Sequence, residues 1–181
     1  AELSDCISLE SYYSGWNWIS INQSFNDMSL NSILLSLDDN GEFIKSQSGY
    51  ADFYPEFGWF GTLETIDNTS MYKLKMLNDD ALAYRGNSIN PDEVVLSLLS
   101  GWNWIGYTPN QDLDVNVALA NMPNGNAEFL KSQSGYTDFY QEFGWFGTLD
   151  TMSPFQGYLL RLVQDTNFTY NDNSLSVISS N

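Results

Sequence analysis

Residues Glu42 to Thr65 read EFIKSQSGYADFYPEFGWFGTLET and Glu128 to Thr151 read EFLKSQSGYTDFYQEFGWFGTLDT, identical at 20 of 24 positions with a constant offset of 86. The same offset carries Gly15-Trp16-Asn17-Trp18-Ile19 onto Gly101-Trp102-Asn103-Trp104-Ile105, Tyr72 onto Tyr158 and Tyr84 onto Tyr170. A chain duplicated this thoroughly is expected to fold as two copies of one small unit, each with its own core, that together extend a surface or a rod. The boundary is expected near Gly86 to Pro91, with a first unit over 1–86 and a second over 87–181 that ends in a C-terminal strand extension.

A unit of that size buries only about 60% of its unfolded surface. Most of the six Trp, eleven Tyr and eleven Phe are therefore read first as core material. Charge narrows the partners. With 23 acidic residues against six basic ones, a net charge of −17, the chain lacks the clustered cations that bind phosphate backbones, so nucleic acid is excluded as a partner. Anionic membrane surfaces are disfavoured for the same reason. One cysteine, Cys6, and no histidine remove an internal disulfide, a Cys2His2-type zinc site and histidine-dependent nucleophiles. No apolar run approaches the ~20 residues of a membrane span. The start at Ala1, without Met or an apolar leader, fits a mature secreted protein or an excised piece, and secretion is the expectation.

The periodicity predicts a mainly β fold with a minor helical part: two tandem antiparallel β-sandwich or half-barrel units, each with one short helix. Gly15 to Ile21 alternates as a strand, with Trp16 and Trp18 on one face and Asn17, Ile19 and Ile21 on the other. Leu30, Ile33, Leu34 and Leu37 then follow helical spacing behind Asp27 or Ser29 as N-cap, and Val115, Ala118, Leu119 and Met122 do so behind Asp114. Further strands are expected from Phe43 and Phe129, at Tyr50 to Tyr54 and Tyr136 to Tyr140, from Gly58 and Gly144, and from Tyr72 and Tyr158.

Three motifs could carry function. Alternating Trp16 and Trp18, with Trp102 and Trp104, could stack on sugar rings. The bland reading packs them between sheet and helix, so that truncating Trp16 or Trp102 would cost about 3–5 kcal/mol. Lys45-Ser-Gln47-Ser-Gly-Tyr50 and its copy Lys131-Ser-Gln133-Ser-Gly-Tyr136 place polar groups beside aromatics, as a sugar site does. The alternative there is structural: Ser and Gln satisfying backbone at a bend, and each Lys half-buried against Asp52 and Glu56, or Asp138 and Glu142. Trp59 and Trp145 complete the recurring aromatic set. Those same carboxylates could be imagined as a glycosidase pair, but no nucleophile, base and oxyanion constellation can be assembled, and the reading is non-catalytic. Asp38, Asn40 and Gly41 touch the calcium-loop pattern without its end ligands, so no cofactor is expected and calcium, though compatible with so acidic a chain, is not locatable.

Gly-Trp-Asn-Trp-Ile, a short helix, Lys-Ser-Gln-Ser-Gly-Tyr, an aromatic strand and Gly-Trp-Phe-Gly-Thr-Leu together resemble a repeat module of large secreted and surface proteins of bacteria, especially marine Bacteroidota. The resemblance covers about residues 15–77 and 101–163 and departs from the family pattern at the Asp67-Asn68-Thr69-Ser70 turn. It implies a non-catalytic extracellular β module used in arrays and assigns no ligand. The resulting expectation is a structural or adhesive cell-surface protein that self-associates head to tail into a homopolymer, with carbohydrate binding as the alternative and glycans as possible partners. Apolar segments at the two ends, Cys6, Ile7 and Leu9 at one and Leu175, Val177 and Ile178 at the other, are the candidate assembly strands.

Overall fold

The computed structural model describes residues 6–171, and only the backbone of Cys6. Leu175, Val177 and Ile178 lie outside the described residues. The first unit comprises strands β1 (Cys6–Tyr12), β2 (Gly15–Ile19) and β3 (Gln23–Ser24), helix α1 (Leu30–Ile33) with a 3-10 continuation (Leu35–Asn40), then β4 (Gly41–Lys45), β5 (Tyr50–Tyr54), β6 (Gly58–Gly61), β7 (Tyr72–Met76) and β8 (Asp80–Ser88). A 3-10 turn at Pro91–Glu93 leads into β9 (Leu96–Leu98), β10 (Gly101–Ile105), β11 (Leu113–Asp114), helix α2 (Val115–Ala118), β12 (Ala127–Lys131), β13 (Tyr136–Tyr140), β14 (Gly144–Gly147), β15 (Thr151–Met152), β16 (Tyr158–Leu162) and β17 (Thr166–Phe168).

Each unit is built on a five-stranded sheet, of order β2-β7-β4-β5-β6 in the first and β10-β16-β12-β13-β14 in the second. The two orders agree strand by strand, every pairing within them is antiparallel, and both units carry a register shift at the same place, Gly41/Phe43 and Ala127/Phe129. The chain is thus mainly β with minor helix. The β1-β8-β3 sheet lies beside the first unit's large sheet, and β9-β17 is the shorter counterpart in the second.

The helices are brief because the sequence supports little more than one turn. Ser29 caps α1 by accepting from the Ser32 N–H, and Asp114 caps α2 by accepting from the Asn116 N–H. Leu30, Ile33, Leu34 and Leu37 all reach the first core, while Val115, Ala118 and Leu119 reach the second with Met122 partly buried against it. The spacing read from the sequence therefore places the right residues inside although only four in each unit are regular helix.

One side of each large sheet is core and the other faces solvent. Ile44, Leu74, Met76 and Ala51 point inward in the first unit; Leu130, Leu160 and Leu162 do so in the second. Asn17 and Asn103 also point inward, 7% exposed, and they fix the corner that feeds the Trp strand. Asn17 accepts from the Tyr13 N–H at 3.0 Å and donates to the Tyr13 carbonyl at 2.7 Å; Asn103 does the same with Leu99 at 2.9 and 2.7 Å. Gly15 and Gly101 make that corner with φ of +91° and +88°, a backbone that only glycine adopts without strain.

Candidate functional site

Because side chains alternate along a strand, placing Asn17 and Ile19 in the core sends Trp16 and Trp18 to the opposite face. The expectation that the Trp pairs form the core is therefore overturned: Trp16 is 41% exposed and Trp102 46%, with Trp18 and Trp104 half-buried. Trp59 is the one that enters a core, at 6% exposure, edge-on to Phe53, and Trp145 meets Phe139 in the same geometry. On the outer face Trp16 meets Phe43 edge-on and Phe43 stacks on Tyr50; Trp102, Phe129 and Tyr136 repeat the row.

β2 and β10 are edge strands of their sheets, and their outward backbone groups are satisfied by the other unit. Gln133 accepts from the Trp18 N–H at 2.8 Å and donates to the Trp16 carbonyl at 2.5 Å, while Gln47 accepts from the Trp104 N–H and donates to the Trp102 carbonyl, both at 2.9 Å. Each glutamine amide thus stands in for a peptide unit of a missing neighbouring strand. Backbone continues the seam: Gly157 and Met71 donate to the carbonyls of Trp18 and Trp104, and Ser20 and Gly106 donate to those of Phe155 and Thr69. Each of these glutamine and backbone contacts maps onto a partner under the offset of 86, the reciprocity of a two-fold interface, here within one chain, whereas the Ser20 hydroxyl, which accepts from the Tyr107 N–H and donates to the Gln156 carbonyl, has no counterpart because Gly106 stands at its equivalent position. The Gly-Trp-Asn-Trp and Lys-Ser-Gln motifs are two halves of one joint. Ser46 and Ser132 hold the hairpin bends by accepting from the N–H groups of Gly49 and Gly135 at 2.9 Å, as the structural reading of these serines expects.

The far edges are closed by the same device from within each unit. Asn31 of α1 accepts from the Trp59 N–H at 2.7 Å and donates to the Trp59 carbonyl at 3.1 Å; Asn116 of α2 accepts from the Trp145 N–H at 2.9 Å. Gly58 and Gly144 permit that approach, since a Cβ on either would lie 2.2 or 2.3 Å from the Asn oxygen. Both edges of each large sheet are thereby screened from strand addition.

The joint is reciprocal in backbone but not in packing. Phe155, from the second unit, takes a left-handed backbone (φ 63°) and inserts into the first core, where it is 4% exposed and stacks on Tyr84 at 5.1 Å. Its counterpart is the small Thr69, and the second core fills the equivalent space with its own Tyr107, edge-on to Tyr170 at 5.2 Å. Ile21 occupies the Tyr107 position in the first unit, leaving room for the intruding ring.

The lysines are not where the sequence reading put them. Lys45 and Lys131 make no ion pair with Asp52, Glu56, Asp138 or Glu142; the ion pairs among the described residues are Lys75–Glu42 at 3.0 Å and Arg161–Glu128 at 3.3 Å. Strand register explains this, because Lys45 lies opposite Tyr50 and Lys73, and Lys131 opposite Tyr136 and Leu159. Lys45 Nζ sits 5.4 Å from the Trp16 ring centre, and Lys73 Nζ is held between two rings, 4.4 Å from Trp18 and 4.6 Å from Trp104. Partial burial, with Lys45 and Lys131 nearby, pulls the Lys73 ammonium below its ordinary pKa. Lys73 escaped the sequence reading because it lies outside the repeated motifs. The signal was its departure from the repeat, since the equivalent residue is Leu159.

Beside this joint a cleft of about 340 Å³ is lined by Tyr13, Trp16, Trp18, Gln133, Ser134 and Gln156 among others. Farther out, Tyr54, Phe57 and Phe60, with copies Tyr140, Phe143 and Phe146, stand exposed on each unit. Ile7 and Leu9 project from β1, which has no strand on its outer side among the described residues. No three metal-ligating side chains converge among the described residues, and no helix there is long and apolar enough to cross a membrane. No family model, curated protein or solved structure matches the chain.

Proposed function

We propose that the chain is a non-catalytic extracellular structural or adhesive protein whose two repeat units act as one body. The observation that carries this reading is the reciprocal joint: the most distinctive motifs of the repeat are used to seat one unit on the other rather than to assemble a nucleophile, base and oxyanion site. The duplicated exposed aromatics at Tyr54, Phe57 and Phe60 and at Tyr140, Phe143 and Phe146 give such a body two equivalent contact surfaces. Head-to-tail growth into a fibre rests on β1, whose outer edge carries no strand among the described residues and whose exposed Ile7 and Leu9 are suited to strand pairing. The test is sedimentation and electron microscopy of the full chain beside Leu9→Lys. Filaments in the parent that Leu9→Lys suppresses support fibre formation, and a parent that stays monomeric at high concentration refutes it.

A second reading, carbohydrate binding, is favoured by the cleft beside the joint. There Trp16 and Tyr13 offer exposed ring faces next to the Gln133 and Gln156 amides, the mixture of apolar walls and a few polar groups that sugar sites use. Pull-down on a panel of insoluble polysaccharides tests it, and failure to retain the chain on any of them removes it.

A further inference from the structure

The chain has six basic residues, and two of them, Lys75 and Arg161, are neutralised by Glu42 and Glu128. Arg85 stands apart on β8. The remaining three, Lys45, Lys73 and Lys131, gather where the units meet, on the face that carries the exposed tryptophans, and none has a carboxylate partner among the described residues. With 23 acidic residues to draw on, a structural role would have been met by pairing each lysine or by leaving it out.

Lys73 makes this sharper. Its equivalent in the second unit is Leu159, so the fold accepts an apolar side chain at that strand position. A leucine would fill the space between Trp18 and Trp104 without desolvating a charge. The ammonium is instead partly buried and crowded by two like charges, which lowers its pKa. A cation held by two ring faces yet crowded by two like charges, at a site with exposed aromatic rings and an adjoining cleft, leaves room for a ligand that supplies negative charge.

We propose that the cleft at the joint, which is lined by Trp16 and Trp18 with Lys45 and Lys73 lying against those two rings, binds an anionic sugar of a carboxylated or sulfated polysaccharide with Trp16 as its stacking face. The sugar ring lies on the exposed indole of Trp16, Gln156 and Ser134 meet its hydroxyls, and the acidic group sits among the ammonium groups. The net charge of −17 does not forbid this, because exposed charges farther than about 8 Å are largely screened at physiological salt. Glu42, nearby on the same sheet, is engaged by Lys75. Specificity for acidic over neutral sugars follows from the lysines, while the ring contact is common to both. The proposal rests on the carbohydrate-binding reading and narrows it to one ligand class.

Titration calorimetry of the full chain with oligouronates, a sulfated galactan and a neutral glucan as separate probes tests it, alongside Lys73→Leu, Lys45→Gln, Trp16→Ala and the distant control Arg85→Gln. Binding of an acidic probe, weakened tenfold or more by Lys73→Leu and by Lys45→Gln but not by Arg85→Gln, is the expected result. Lys73→Leu is expected to melt at or above the parent temperature, which separates lost binding from lost folding. Whether the uronate or the sulfated arm responds identifies the acidic group. Binding of all three probes equally, or acidic binding unaffected by the lysine variants, overturns the anionic assignment while the broader glycan reading stands. No binding by any probe overturns both.

Discussion

Removing the two glutamines that join the units is the most direct perturbation of this architecture. Gln133→Ala deletes the bonds to the Trp18 N–H and the Trp16 carbonyl, and Gln47→Ala deletes those to the Trp104 N–H and the Trp102 carbonyl. A hydrogen bond of this kind contributes about 0.5–1.5 kcal/mol net. Water can reach these groups, so each single variant should lose about 1–2 kcal/mol and the double variant about 2–4 kcal/mol. Four backbone bonds of the seam remain in the double variant, which is therefore expected to loosen the joint rather than unfold either core. Chemical denaturation is the assay: one cooperative transition for the parent, and for the double variant a lower midpoint with two separable transitions. Gln133→Glu keeps the acceptor for Trp18 but loses the donor to Trp16, and should fall between parent and alanine. A double variant within about 0.5 kcal/mol of the parent and still a single transition, against the expectation from lost bonds, would refute the view that these side chains hold the units together.

Phe155→Ala should cost about 3–5 kcal/mol and destabilise the first unit although the residue belongs to the second; near-neutral denaturation would show that the ring is not part of that core. Gly157→Ala should weaken the joint by about 1–3 kcal/mol, since a Cβ would lie 2.8 Å from the Ile19 carbonyl as well as against Met71, and an unchanged midpoint would contradict that close approach. Trp16→Ala, at an exposed position, should cost well under the about 3–5 kcal/mol of a buried tryptophan, and a loss in that range would restore the core reading. Burial pushes the phenols of Tyr12, Tyr72, Tyr84, Tyr107, Tyr158 and Tyr170 upward, Tyr158 to about 12. Unfolded phenols ionise near about 10, so the unfolded chain sheds protons first. Stability should be intact below that pH and fall as pH climbs through 10 toward 12 and beyond; a melting temperature flat across that interval would count against it.

Much of the architecture was legible because it depends on local pattern. The offset of 86 fixed that there are two like units, and aromatic and apolar runs bounded by glycine and turn residues located Tyr50–Tyr54, Tyr136–Tyr140, Tyr72–Met76 and Tyr158–Leu162 at the bounds the structure gives. Helical spacing found the buried Leu30, Ile33, Leu34 and Leu37 even where the backbone becomes 3-10. The candidate site was half legible: the Trp, Lys and Gln residues were singled out, but with the wrong partners and, for the tryptophans, on the wrong face.

Alternation along β2 is determined by the sequence, whereas which face is core is not. Two tryptophans outweigh Asn17 and Ile19 in the ring area they could bury. Tertiary structure reverses the choice because Asn17 closes the corner to Tyr13 with its own hydrogen bonds and the indoles are wanted at the seam between units. The glutamines posed the same problem. Their spacing shows that a bend is near, but a bond across more than 100 residues between Gln133 and Trp16 has no local signature. Repeats determine that two surfaces are alike, and only packing decides that those surfaces meet each other, because backbone groups of an edge strand that is buried in a joint need partners, which here come from the other unit.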